Sequence, residues 1–319
     1  MRAAVYDAYG PPSRLRIAQI PAPTPRAGQV LIEVVATSIN LSDWEGLHGS
    51  PAYARIGGLL APRRHVLGSD IAGRVVAVAP DVSSFRVGDE VYGDNLQLMG
   101  GFAEYAVAPA SALVLKPREL TFVEASTIPQ SGAIALQAVA RGRTGERMLL
   151  NGAGGGAGSF AIQVAKAAGL HVTGVDNAAK LDFMRELGAD AVLDYRTQDF
   201  TRTGPYDLVI DLVAHRSVFA LRRALARGGR YFMVGGTART MARLLTVGTV
   251  VGAVTRTRLG ILFVREGPAH FTPLADSILA GDIRVHVDRV FPLEEIRDAL
   301  AYHGEGHALG KVVVQLRDE

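Results

Sequence analysis

The stretch "NGAGGGAGSFAIQ", residues 151–163, puts five glycines into the seven positions 152–158 and then runs directly into a helix-like sequence. A backbone so bare can approach another group closely, and this one lies between a strand-like run, Arg147 to Asn151, and a helix-like run, Ser159 to Ala168. A strand, turn and helix in that order present free N–H groups and the positive end of a helix dipole to an anion, the arrangement that holds the pyrophosphate of a dinucleotide. Asp176 ends the next strand-like run, 18 residues after Gly158, where a carboxylate binds ribose hydroxyls. The pattern Ala153-x-Gly155-x-x-Gly158 has alanine where the commonest fingerprint has its first glycine, so the flanking strand, helix and acid give it its specificity.

The surrounding texture agrees. Strand candidates at Arg147 to Asn151, His171 to Asp176, Ala191 to Tyr195, Tyr206 to Val213 and Arg230 to Val234 alternate with helix candidates at Ser159 to Ala168, Ala178 to Leu187 and Ser217 to Ala226. That alternation means parallel βαβ units with right-handed crossovers, an α/β doubly wound sheet. The first 120 or so residues read differently, as short β-type runs such as "QVLIEVVAT" and "IAGRVVAVA" between turn residues, which suggests a compact, mostly β domain. A helix candidate at Pro268 to Ala280 and a final strand in "GKVVVQL" follow, and that strand fits either sheet. A chain of 319 residues suits two such domains.

Composition narrows the chemistry. The formal charge of +3 and the lack of a dense Lys/Arg run predict neither a nucleic-acid nor a membrane partner. Zero cysteines exclude disulfides, a cysteine nucleophile and any thiolate-ligated metal. The first twenty residues hold no uninterrupted apolar run of signal-peptide length, so a cytoplasmic location is expected. The most apolar later segment, Leu244 to Val254, is about half a membrane span, carries Gly248 and Gly252, and reads as a buried strand or a subunit contact.

The segments "LGSDIAGRVVAV", "VGDEVYG", "GGFAEYA", "NGAGGGAGSFAIQVAKAAG", "LGADAVLDY" and "GHALGKVVV" occur in the order seen in the medium-chain dehydrogenase/reductase superfamily. Over nearly its whole length the chain resembles the zinc-free quinone oxidoreductase-like branch. The resemblance implies a GroES-like mostly β domain over 1–122, a Rossmann domain over 123–262 and a C-terminal segment, 263–319, returning to the first domain. It also implies a cofactor cleft between the domains, an NAD(P)H cofactor, a small-molecule substrate and a homodimer or homotetramer. Carried onto this sequence, the cofactor contacts are Gly152, Ala153, Gly154, Gly155, Gly156, Ala157 and Gly158 at the pyrophosphate, Asp176, Asn177, Lys180 and Tyr195 about the ribose, and Gly235, Ser131 and Ile134 beyond it. Asp176 argues for NAD(H), because its charge repels a 2′-phosphate, while Lys180 and Tyr195 stand where they could flank the same ribose. A lysine at a helix start is more often a solvated surface residue. Many members have threonine at the place of Ile134, which cannot hydrogen-bond through its side chain, so Ser131 or the backbone would hold the nicotinamide.

Zinc-dependent members of the superfamily bind their metal with a Cys, a His and a second Cys. The matching positions resemble Asn40, Ser69 and Gln130, none a good zinc ligand, and the eight histidines show no ligand-like spacing, so no metal is expected. Without a Lewis acid, an acceptor whose product anion is delocalised becomes the better substrate: an α,β-unsaturated carbonyl, an enoyl thioester or a quinone. Catalytic candidates come from the loop "SINLSDWEGLHGSPAYARIGG": Asn40 to orient substrate or cofactor, Asp43 either to fix the loop or to act as a carboxylate, and Tyr53 as proton donor or enolate ligand. Trp44 could wall the substrate pocket. Two other readings stay open: an inactive dinucleotide-binding sensor, favoured by Ile134, and a zinc-independent alcohol or ketone oxidoreductase.

Overall fold

Strands separated by helical crossovers can pair only in parallel, and those after the glycine turn do so. A computed structural model describes every residue except Gly57 and Glu319 and divides the chain into two units, Met1–Ala133 with Glu266–Glu319, and Ile134–Arg265. In the second unit Ala191–Asp194, His171–Asp176, Arg147–Asn151, Tyr206–Asp211, Leu225–Met233 and Arg258–Ile261 lie side by side in that order, all parallel. The order reverses between Arg147–Asn151 and Tyr206–Asp211, and such a switch point is where open α/β sheets bind ligands, beyond the carboxyl ends of the strands. Leu149, Val175, Val209, Tyr231 and Met233 fill one face of this sheet against Val218 and Leu221 of the helix Val218–Ala224, whose Ser217 cap bonds the Ala220 N–H.

The first unit is built on antiparallel pairing. Val287–Pro292, Lys311–Gln315, Gln29–Ser38, Asp70–Val78, Glu90–Asp94 and Leu113–Leu115 form one sheet, with Tyr105–Pro109 also paired to Gln29–Ser38. The alternation of Val30, Ile32 and Val34 with more exposed neighbours gives this long strand its inward face. The final strand, which the sequence allows in either sheet, joins this one, antiparallel to Gln29–Ser38 and parallel to Val287–Pro292.

Three expectations shift. The division falls somewhat later than residue 122, because the helix Phe122–Thr127 packs on the strands Gln29–Ser38 and Asp70–Val78 of the first unit. The expected helix at Ala178 to Leu187 begins as a 3₁₀ turn, Ala178–Lys180, before Leu181–Glu186. Of the two readings of residues 244–254, a buried strand or a subunit contact, the strand falls away: Ala238–Arg243, the π-type turn Leu244–Gly248 and Thr249–Thr255 follow one another as helix, with Leu244, Gly248 and Gly252 buried and most of the larger apolar side chains outward. No helix among the described residues is long and apolar enough to cross a membrane.

The glycine turn gives the clearest test of local fit. A Cβ at Gly158 would lie 2.4 Å from the Gly152 carbonyl oxygen and 2.6 Å from that of Ala153, whereas one at Gly155 would meet nothing nearer than 3.6 Å. Gly158→Ala should therefore cost about 2 kcal/mol or more of stability, and Gly155→Ala should leave it nearly unchanged. Thermal unfolding of the two variants side by side checks this, and equal melting temperatures would contradict the close approach.

Candidate active site

In the dinucleotide-binding unit, the turn after Arg147–Asn151 is pinned from the neighbouring strand, since the N–H groups of Gly152 and Ala153 both donate to the Val175 carbonyl, at 2.9 and 3.1 Å. Gly155 caps the twelve-residue helix Gly156–Ala167, whose first-turn N–H groups have no partner within the helix and suit an anion. Open space beside Gly155, and nothing within 4 Å of a Cβ at Gly235, leave room for a dinucleotide. Asp176 reaches back into the turn: Oδ2 accepts from Gly154 N–H at 3.0 Å and Oδ1 from Asn177 N–H at 2.9 Å. Asn177 in turn caps the following 3₁₀ turn through the Ala179 N–H.

Lys180 departs from expectation. It is buried rather than solvated, its ammonium 3.8 Å from Asp176 Oδ1, and its stem lies against Gly154, where a Cβ would come within 2.6 Å of Lys180 Cδ. Tyr195 is exposed, with the Arg196 guanidinium over its ring. Beneath the strand ends, buried Asp211 accepts from Asn151 Nδ2, from Val213 and Ala214 N–H, and from the Tyr231 hydroxyl, fixing the loop that leaves Tyr206–Asp211. No sequence motif marked this network; its only signal is an acid ending an apolar strand.

In the β unit, the three positions aligned with zinc ligands meet in one polar lattice. Asn40 Nδ2 donates to Ser69 Oγ at 3.1 Å and to Asp70 Oδ2 at 2.8 Å, and Ser42 Oγ donates to Gln130 Oε1 at 3.1 Å and lies 3.3 Å from Ser69 Oγ. Lys311 Nζ, fully buried in the last strand, donates to Asn40 Oδ1 at 2.8 Å and to Ser131 Oγ at 3.1 Å, with Asp70 Oδ2 3.9 Å away. Asp70 Oδ1 also accepts from the Gln130 N–H at 3.1 Å. An amide, a hydroxyl and a second amide, bonded to one another in this way, are a poor donor set for zinc, which takes thiolate, imidazole and carboxylate.

The predicted catalytic residues are placed unevenly. Asn40 stands at the centre, but both its amide hydrogens and its oxygen are committed, so it anchors rather than presents a free donor. Asp43 is buried, with Oδ2 accepting from Asn40 N–H and Oδ1 from the N–H groups of Gly68 and Ser69, which makes it a loop-fixing carboxylate. The Tyr53 hydroxyl is bound by the Glu45 carboxylate at 2.9 Å, and burial, then the Glu45 charge, push its pKa up, so its proton is held there. Ser131 is taken by Lys311, and Trp44 packs on Gly304 of the helix Ile296–Gly304. Sequence marked Gln130 only as a zinc-ligand counterpart; its side-chain Nε2 donates to no described residue, and its Oε1 accepts from half-buried Ser42, which sequence did not single out.

Buried charge dominates the electrostatics. Burial lowers the Lys311 ammonium and raises the Asp70 carboxyl, each opposed by the other's charge. Burial pushes Asp43 up to about 7 against its backbone hydrogen bonds. Asp94, paired in register with Asp70 on the adjoining strand, is pushed up to about 8 by burial and then by the Asp70 charge. It borders a cavity of about 170 Å³ lined also by Asn95, Gln97, Ser111 and Glu266.

These features have counterparts in known proteins. Residues 26–118 match the alcohol dehydrogenase GroES-like domain and residues 187–314 the family described as zinc-binding dehydrogenase. A chloroplastic quinone oxidoreductase of Triphysaria versicolor is 30% identical over 99% of this chain and 98% of its own. A trans-enoyl reductase of Aspergillus terreus is 31% identical over 90% of this chain and 86% of its own. The solved quinone oxidoreductase of Coxiella burnetii superposes with a TM-score of 0.90 at 29% identity, covering 99% of each chain.

A carboxyl whose folded pKa is raised keeps a proton that the unfolded chain has released, so its contribution to stability falls as pH rises from the unfolded value of about 4 towards 8. Asp94→Asn should flatten that loss. Melting temperatures between about pH 6 and 9 should fall less in the variant than in the wild type, and parallel curves would show that Asp94 titrates normally.

Proposed function

Because this chain belongs to the zinc-free quinone oxidoreductase-like branch of the medium-chain dehydrogenase/reductase superfamily and is an NAD(P)H-dependent oxidoreductase of conjugated acceptors, we propose that the acceptor's oxygen is received by Gln130 Nε2, which Ser42 orients by donating its hydroxyl proton to Gln130 Oε1. When bound, the dinucleotide supplies a hydride to the acceptor's conjugated carbon. Charge then spreads onto the far oxygen, and fixed donors aimed there stabilise it without reorganising. The observation that carries this reading is the placement of Gln130, whose N–H and Oε1 are both held while its Nε2 donates to no described residue. Asp70 holds the Gln130 N–H, Ser42 holds its Oε1, and Asn40, Ser69, Asp70 and Lys311 bond one another. Asn40, Ser42 and Lys311 position; the Gln130 amide is left to touch the substrate. Asp43 fixes the loop and Tyr53 stays with Glu45. A small conjugated carbonyl, enoyl thioester or quinone suits donors of this kind, since its product anion needs no metal.

The turn residues 152–158 and the first turn of Gly156–Ala167 take the pyrophosphate in this reading, and Asp176 takes the ribose hydroxyls. NADH is the preferred form. A 2′-phosphate would be brought against Asp176, and the buried cation beside it, Lys180, is already balanced by that carboxylate. The family resemblance supports a homodimer or homotetramer, and a cytoplasmic location belongs to the same reading.

Gln130→Leu should lower kcat for an enone or quinone by about a hundredfold with NADH affinity unchanged, while Tyr53→Phe should change kcat by less than about threefold. Steady-state kinetics with nicotinamide fluorescence titration separates the two effects, and the reverse ranking would return the donor role to Tyr53. Asp176→Ser should shift the ratio of NADH to NADPH affinity by about tenfold towards NADPH. An unmoved ratio in paired titrations would remove Asp176 from the ribose site.

A further inference from the structure

The end of the strand Glu90–Asp94 and the turn after it border the cavity of about 170 Å³ in the first unit, and the side chains there are short of hydrogen-bond donors. Asn95, 1% exposed, is committed through its amide hydrogens: Nδ2 donates to the Met99 carbonyl at 2.6 Å and to the Val107 carbonyl at 3.0 Å. Those two acceptors fix which amide atom is nitrogen, so the other is an oxygen, and this buried Oδ1 has no donor. A buried acceptor left in that state is costly and calls for a partner. Asp94, 8% exposed, takes one N–H, from Leu96 to Oδ1 at 2.9 Å, and no described residue donates to its Oδ2. Exposed Glu266 lines the same cavity with Oε2 3.3 Å from Gln97 Nε2, and Ser111 adds a hydroxyl.

Two carboxyls beside an orphaned carbonyl oxygen repel an anion and suit an occupant that brings positive charge and hydrogens. A metal ion is the poorer fit. No three of His, Cys, Asp and Glu among the described residues come together to hold one, and Pro109 and Ala112 line the cavity with carbon that an ion cannot use. An ammonium head on a short carbon stem uses both kinds of surface, with three N–H groups for the acids and the amide oxygen and methylenes for Pro109 and Ala112. We propose that this cavity binds a small primary alkylammonium ion, held by Asp94, Asn95 and Glu266 and not by the residues that receive the acceptor. Its affinity carries a pH signature. Burial, then Asp70 on the neighbouring strand, Glu266 and Asp43, push Asp94 up to about 8, and the charge of Asp94 in turn supports the Lys311 ammonium. A bound ammonium favours ionised Asp94, so capture releases a proton and tightens as pH rises through about 8, until the amine loses its own proton at about 10.

Isothermal titration of the full chain with n-butylamine tests this, with n-butanol and calcium chloride as separate arms. The amine should bind at one site per chain and about tenfold tighter at about pH 8.5 than at about pH 6.5, whereas the alcohol and calcium should not bind. Asp94→Asn and Glu266→Gln should each weaken the amine about tenfold or more, with NADH affinity unchanged in both, and Asp94→Asn should also remove the pH dependence. Glu266 is exposed, so its variant keeps the test open if Asp94→Asn fails to fold. Equal binding of butanol would leave only an apolar hole, and calcium binding lost in Glu266→Gln would make this a metal site; either overturns the proposal. So does the absence of amine binding up to about 50 mM, or binding that Glu266→Gln leaves unmoved.

Discussion

A buried ammonium with nowhere to go but its neighbours organises the first unit. Lys311 enters the interior from a strand whose next three residues are valine, and the cost of removing a charge from water is offset only if oxygen atoms are waiting. They come from three distant parts of the chain: Asn40 after the long central strand, Ser131 in the helix Pro129–Val139, and Asp70 in the adjoining strand. The last strand, the loop after residue 39 and the helix that leads towards the second unit are thereby held to one point. Loss of any partner would leave a charge or an amide unsatisfied in a water-free place, so the lattice stands or falls as a whole.

That lattice also explains how positions used elsewhere in the superfamily for zinc serve here without it. Each has become a hydrogen-bonding side chain whose geometry is set by another. Asp70 fixes Asn40 and Gln130 at once, through different oxygens. In the proposed reading, a neutral, oriented donor then faces the substrate in place of a Lewis acid. Such a site discriminates by where the negative charge of the product can spread, not by how strongly a single oxygen can be polarised.

The second unit was the more legible from sequence, because its signals are local. Period and punctuation place the strands, the glycine run marks the turn, and Asp176 ends its strand where an acid is needed. The first unit's lattice was only partly visible. Asn40, Ser69 and Gln130 stood out by family correspondence, but their partners did not, since Lys311 and Asp70 are brought to them by strand pairing between residues far apart in sequence. Tyr53 misled for a related reason, as the acid that occupies its hydroxyl, Glu45, looks like an ordinary surface helix residue. For 244–254, apolar composition alone distinguishes neither strand from helix nor the side that faces in, and here two glycines took the inner side of a helix.

The bond from Gly154 to Asp176 bears on kinetics. With that amide held, and two more tied to Val175, the turn has a defined shape of its own. With this turn as the proposed pyrophosphate site, little loop entropy is left to lose on capture, so encounter rather than rearrangement governs the on-rate, and closely related nucleotides differ mainly in how long they stay. Discrimination at the ribose then becomes a matter of residence time.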